Sequence, residues 1–543
     1  MSKPIGNISL SLPSLWLWGG MQESQLLPKG RRAADWVSVL GGLFALASSA
    51  CQSADIQQQG YDSSQFQFID SPNQRKLSPD TYFGHEYLYL NSRRGLGQNK
   101  TRPKHLTGLA MSGGGIRSAA FQLGILTGLN ASDGMHEKWL SKIDYIASVS
   151  GGSWANGEYW STPLSDDKFL SCLDGYAKTA MPTEGCPSPY GALRNRQEVS
   201  PLPIDNNHEL KKRKSLWEKD IIDAHLGSCN IDFDAEPRKD YNPTNTLACR
   251  DASSHRPYPI FASTHSSREE RASVNNHVFE STPDYQGTIS EAPEYRGFFI
   301  KSGSRKFLWE NRDWKRWIPG GENDHPGEVL SLMLAHSSGV IGSEKPFLLQ
   351  YNFHAHYKGE KDRGKPIKGL REIYKLTDGG KSDNLGVIPL IERNVDTIIV
   401  SQMGKEGQDF EDIKLAALQA KKLFGCTFRA DWPRNTTSVV EPTPYQCPNG
   451  NGAQQIGKLI LVRPTVQNVG DFLNYLRVNN PALSARLDEI DANEKPADRF
   501  PETPTFRRIY DESLIRAYFL LGKYLAETSV SPVLNSLDIG STH

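Results

Sequence analysis

Three clusters in this chain place reactive and flexible residue types where they could do chemistry. They are Ser112-Gly113-Gly114-Gly115-Ile116-Arg117-Ser118, Ser148-Val149-Ser150-Gly151-Gly152 and Thr377-Asp378-Gly379-Gly380. A serine among small residues on a sharp strand-to-helix turn is a nucleophile elbow, which raises its Oγ at a sheet edge. The Gly151 N–H and a helix dipole would stand beside it. A hydroxyl attacks well only if a base removes its proton as it does so. Asp378 is the expected base, because a carboxylate at a strand end before two glycines sits on a loop that can approach another sheet-edge group. In the first cluster, consecutive glycines let successive N–H groups converge on an anion. No Gly-Lys-Ser/Thr follows, and the cluster is too short for a dinucleotide fingerprint. An oxyanion hole remains. Each cluster alone is compatible with an ordinary turn; together they supply a nucleophile, a base and anion donors.

The surrounding pattern says what must hold these groups. Short apolar runs at 106–111 and 145–149 each meet a Gly/Ser cluster and continue as a helix, the signature of a parallel βαβ unit. In such sheets ligands bind where strand carboxyl ends meet helix N-termini. The first helix carries Ile116, Ala119, Ala120 and Leu123 on one face. Further strands are expected at 347–351, 373–376, 397–402 and 459–462, and helices at 328–335, 385–393, 411–424 and 512–526. Asp383 and Asn384 are expected to cap the helix through Pro389 and Ile391. His336 reads as a residue ending the 328–335 helix. His354 and His356 could project together from a strand as metal ligands, but no carboxylate or cysteine partner is evident. No metal and no cofactor are expected.

Composition bounds the function. Lys plus Arg and Asp plus Glu are both 62, so no global field favours nucleic acid. Lys29, Arg31 and Arg32 precede an apolar run at 36–47, then Ser48-Ser49-Ala50-Cys51. That order describes a lipoprotein signal, with Cys51 the residue to be diacylated, and the run is short for a membrane span. The expected location is the cell envelope, exported and lipid-anchored. Six of the seven cysteines fall into sequence-local pairs: Cys172 with Cys186, Cys229 with Cys249 and Cys426 with Cys447. No zinc spacing occurs, so three disulfides are expected in an oxidising compartment. The expected organisation is a signal over 1–51, a tether over 52–80, a catalytic domain over 81–530 and a tail over 531–543. A polar, Pro-rich insertion at about 165–325 would interrupt the core. Its basic run at 211–214 reads as a solvated helix face or as a contact to lipid headgroups.

The three clusters, in this order, resemble the patatin-like phospholipase family, with wording close to the cytosolic phospholipase A branch. The segments 378–400 and 499–525 look family-like as well. The resemblance implies a three-layer α/β/α fold with a mostly parallel central sheet and a Ser–Asp dyad without histidine. It makes Ser150 the nucleophile and Asp378 the base. Gly114, Gly115 and Gly151 become the oxyanion donors, and Arg117 the arginine that meets substrate phosphate. Ser148 departs from the usual elbow glycine. The implied activity is hydrolysis of fatty-acyl esters in phospholipids or related lipids at a membrane surface, through an acyl-enzyme. Transfer of the acyl group to another alcohol, or an inactive lipid-binding protein on the same fold, are the alternatives. A Ser-His-Asp esterase is disfavoured, since His543 is the only histidine after Asp378.

Overall fold

In the computed structural model the short apolar runs become the parallel centre of one mixed sheet. The structure describes residues 83–97, 99–131, 138–162, 164–181, 186, 256–266, 277–282, 285–288, 309–310, 337, 340–341, 347–348, 351–356, 361–362, 365–366, 371–403, 411–430, 442–448, 454–504 and 510–537. Among them the sheet has twelve strands. These are β1 (Thr107–Met111), β2 (Tyr145–Val149), β3 (Tyr258–Ser266), β4 (His277–Ser281), β5 (Tyr285–Thr288) and β6 (Trp309–Glu310), followed by β7 (Tyr351–His356), β8 (Arg371–Thr377), β9 (Thr397–Ser401), β10 (Thr427–Phe428), β11 (Thr443–Pro448) and β12 (Gln454–Val462). Strands β12, β9, β1, β2 and β3 lie side by side in parallel. Antiparallel strands extend both flanks: β4, β5 and β6 beyond β3, and β11 and β10 beyond β12. All five residues of β1, of β2 and of β9 are buried, as expected of strands covered on both faces.

Helices cover both faces, giving three α/β/α layers. They are α1 (Gly84–Arg93), α2 (Gly115–Asn130), α3 (Gly151–Ser161), α4 (Asp166–Thr179), α5 (Ile388–Glu392), α6 (Glu411–Phe424), α7 (Val466–Asn479), α8 (Pro481–Ala492), α9 (Glu512–Leu525) and α10 (Ser531–Ser536). Helix α2 packs on α3, α4 and α9. It is buried on every side rather than on one face, because α9 lies against it at backbone contact. A Cβ at Gly124 would stand 2.0 Å from the Phe519 carbonyl, and one at Gly522 would stand 2.1 Å from the Phe121 carbonyl. Helix α5 covers β1, with Leu390 against Gly108. It is shorter than the expected 385–393, because residues 383–387 form a turn first.

Two buried charge clusters join distant segments. Arg393, at the end of α5, donates to both carboxylate oxygens of Glu86 on α1, at 2.8 and 2.7 Å, and to Glu280 on β4 at 2.9 Å. Arg256, just before β3, donates to Asp166 at 2.9 Å and to the carbonyls of Trp160, Thr162 and Leu164. Among the described residues two disulfides are present, Cys172–Cys186 and Cys426–Cys447. The first starts on α4; the second ties the turn after α6 to β11. Cys229 and Cys249 lie outside the described residues.

Two expected boundaries are corrected. Helix α4 and strands β3–β6 fall inside the span 165–325 yet belong to the core, so the insertion is not continuous there. The reading Tyr-Pro-Ile-Phe-Ala-Ser-Thr-His-Ser of β3 mixes polar and apolar residues and hides a central strand among loop-like sequence. The tail does not begin at 531 either. Helix α10 packs Leu534 into the core, and Asn535 accepts from the Trp139 indole at 2.9 Å. Cys51, the 1–51 signal, the 52–80 tether and the 211–214 run lie outside the described residues. Among those described, no helix is long and apolar enough to cross a membrane.

Candidate active site

Ser150 caps α3 with φ 50° and ψ −120°, a conformation that costs a residue with a Cβ and is found where surroundings hold it. The need for small neighbours is visible. A Cβ at Gly151 would fall 2.1 Å from the Gly115 carbonyl oxygen, and one at Gly152 would fall 2.5 Å from the Met111 carbonyl oxygen. The two glycine corners therefore interlock, as their shared position at strand carboxyl ends requires. At Gly113 a Cβ would meet the Ser150 Cβ at 3.2 Å and Asn384 Oδ1 at 2.2 Å. Gly113 has already committed its N–H to the Asn384 carbonyl at 2.9 Å. Gly114 is the N-cap of α2, and Gly115 and Gly151 are the first residues of α2 and α3. N–H groups there have no intrahelical acceptor. Neither helix has a side-chain cap, and none of the three donates to a loop carbonyl among the described residues.

The Asp378 carboxylate arrives from the opposite direction. Strand β8 runs antiparallel to β3 with Thr377 opposite Thr264, while β2 runs parallel to β3 with Val149 opposite Ala262. One residue further along, Ser150 and Asp378 both reach the level of Ser263. Asp378 is 5% exposed, and its Oδ1 accepts from the Gly380 N–H at 2.8 Å. Oδ2 is buried without a well-aligned hydrogen bond. Burial raises the carboxyl from its ordinary 3.8 to about 6, against opposing pulls from the Gly380 N–H, the Ser150 hydroxyl and Lys381. The Ser150 hydroxyl is thus near enough to act on Asp378, although it has not closed on Oδ2. Catalytic hydrogen bonds often tighten only with substrate bound. A carboxyl poised near neutrality can take a proton and return it.

The departure at Ser148 has a local reason. Its hydroxyl donates to the Ile260 carbonyl at 3.1 Å and accepts from Asn156 Nδ2 at 3.0 Å, so it is satisfied beneath the elbow. Asp383 behaves as a cap, accepting from the N–H groups of Leu385, Gly386 and Ile388. Burial raises its carboxyl to about 6 as well. Asn384 does not cap. It wedges between Gly113 and Gly380, and its amide donates to Asp412 on α6 at 2.6 Å. Sequence reading missed this role, and it missed Ser337, whose carbonyl accepts the Ser150 N–H at 3.0 Å.

Arg117 is tied to the segment before α9. Its side chain is 1% exposed and donates to the Thr503 carbonyl at 3.0 Å and the Pro501 carbonyl at 3.4 Å. Nε and Nη2 are buried without partners. Through its Nη1 bonds Arg117 fixes the 501–504 segment. His336 and the side chains of His354 and His356 lie outside the described residues. Among the described residues no cluster of His, Cys, Asp and Glu could hold a metal ion.

The three-layer sheet thus presents a serine elbow, a glycine corner and a facing carboxylate on one side of β3. In the order of its motifs the chain resembles the patatin-like phospholipases. No protein-family profile matches it. It is 26% identical over 217 residues to the Schizosaccharomyces pombe protein named "Probable lysophospholipase 3", a match covering 36% of this chain and 31% of that protein. Human GIVD cytosolic phospholipase A2 superposes with TM-score 0.47 at 13% identity, covering 85% of this chain and 64% of the human one. VipD from Legionella pneumophila superposes with TM-score 0.23 at 14% identity, covering 59% and 54%.

Proposed function

We propose that this chain is a serine lipid acyl hydrolase of the phospholipase A or lysophospholipase type. The observation carrying this reading is the end-to-end meeting of Ser150 and Asp378 over the interlocked glycine corners. Similarity to a protein named as a lysophospholipase supports the lipid ester as substrate. In the reaction, Asp378 Oδ2 accepts the Ser150 proton as Oγ attacks the ester carbonyl carbon. The carbonyl oxygen becomes an oxyanion, facing the N–H groups of Gly114, Gly115 and Gly151. Collapse breaks the ester bond, and Asp378 returns the proton to the leaving alcohol oxygen. Water, deprotonated by Asp378, then attacks the acyl-enzyme carbonyl carbon; the Ser150 ester bond breaks, Asp378 returns the proton to Oγ, and the fatty acid leaves.

Arg117 is assigned to hold the 501–504 segment. The expected lipoprotein signal ending at Cys51 supports a position on the envelope, beside that substrate. The disulfides Cys172–Cys186 and Cys426–Cys447 support an oxidising compartment.

The test is labelling with a serine-reactive fluorophosphonate, followed by product analysis on defined phospholipids. Wild-type protein should label on Ser150 and release fatty acid, and Ser150→Ala should do neither. Wild-type turnover by Ser150→Ala would overturn the assignment. Acyl transfer to an added alcohol, without free acid, would identify a transferase instead.

A further inference from the structure

The strained elbow needs a holder, and its holder comes from a part of the chain far from the three motifs. The Ser150 N–H donates to the Ser337 carbonyl at 3.0 Å and also lies 3.3 Å from Ser337 Oγ. Ser337 Oγ donates to the Ala262 carbonyl on β3 at 2.6 Å and pairs with Ser153 Oγ on α3, also at 2.6 Å. With the Ser337 proton given to Ala262, the Ser153 proton is left for Ser337 at 2.6 Å, the nearer of its two acceptors, the other being the Ser148 hydroxyl at 3.2 Å. Ser337 is fully buried, so water cannot take over either bond.

The same Ala262 carbonyl supports the base. A Cβ at Gly379 would fall 2.3 Å from it, so the loop carrying Asp378 rests directly on that oxygen. One hydroxyl therefore ties the nucleophile's helix to the surface on which the base sits. We propose that Ser337 is a positioning residue that sets the Ser150–Asp378 spacing by clamping the elbow to the Ala262 carbonyl.

This proposal rests on the reading of Ser150 as the nucleophile. In Ser337→Ala the carbonyl contact to Ser150 persists, but the bonds to Ser153 and Ala262 are lost. Misplacing a reacting group by a fraction of an ångström to an ångström costs up to about a hundredfold in rate.

The experiment is active-site titration of the full chain with a fluorophosphonate, which separates the number of reactive sites from the rate per site. Ser337→Ala should label to full stoichiometry, about ten- to a hundredfold more slowly per site, with kcat for ester hydrolysis falling in step and KM little changed. A merely structural role would reduce the number of sites and leave the rate per site at the wild-type value, and that result overturns the proposal. Should Ser337→Ala fail to fold, Ser153→Ala is read in the same way. It removes one arm of the clamp and keeps Ser337 on Ala262, and an unchanged rate per site would again overturn it. Wild-type protein that fails to label removes the nucleophile itself, an outcome distinct from a fault in the clamp.

Discussion

Ser150 and Asp378 leave strands that approach each other head-on along one side of β3, and both come level with Ser263. The antiparallel entry of β8 is what delivers the carboxylate. A parallel strand in its place would carry residue 378 away from the elbow.

The raised carboxyl sets the pH dependence of catalysis. On the proposed mechanism Asp378 must be ionised to accept the serine proton, and burial holds its pKa near 6. The value of kcat/KM should fall about tenfold per pH unit below that point and level off above it. Asp383 titrates in the same window, so the profile is repeated in Asp383→Asn. A limb that persists there belongs to Asp378, and one that vanishes belongs to Asp383.

The same shift predicts a stability cost. A carboxyl whose folded pKa lies above its unfolded value binds its proton more tightly in the native state. Stability therefore declines as pH rises from about 3.8 to about 6, and above that the cost is complete. Asp378→Asn should abolish hydrolysis while raising stability by about 1–3 kcal/mol at pH 8 and little at pH 4. Thermal unfolding at the two pH values checks this, and equal shifts at both would contradict it.

Interlocking of the two corners makes Gly151 intolerant of a side chain. Gly151→Ala would put a methyl 2.1 Å from the Gly115 carbonyl, in rigid backbone rather than a yielding side chain. The corners must separate, so hydrolysis should fall at least about a hundredfold. The assay is turnover of a soluble ester, with circular dichroism showing whether the fold survives.

Arg393 is fully buried between two buried carboxylates, which makes the fold sensitive to its loss. Arg393→Ala leaves Glu86 and Glu280 buried without their cation, at a cost of about 3–5 kcal/mol. Denaturant unfolding measures it. Arg393→Met together with Glu86→Gln and Glu280→Gln should recover much of the loss, because the charge left behind causes the damage.

The local chemistry was legible in the sequence because it is written in neighbouring residues. Glycine and serine after short apolar runs announced both corners, and the helix at 411–424 was bounded correctly by its own apolar spacing. Local pattern also paired Cys172 with Cys186 and Cys426 with Cys447. Only the tertiary structure decided what long-range packing controls. Strand β3 is a polar-looking segment that becomes central because β2, β4 and β8 all pair with it. Arg117 turned inward because the 501–504 carbonyls accept its guanidinium. Ser337 and Asn384 gained their places because buried N–H, hydroxyl and amide groups must find partners, and those partners lie far away along the chain.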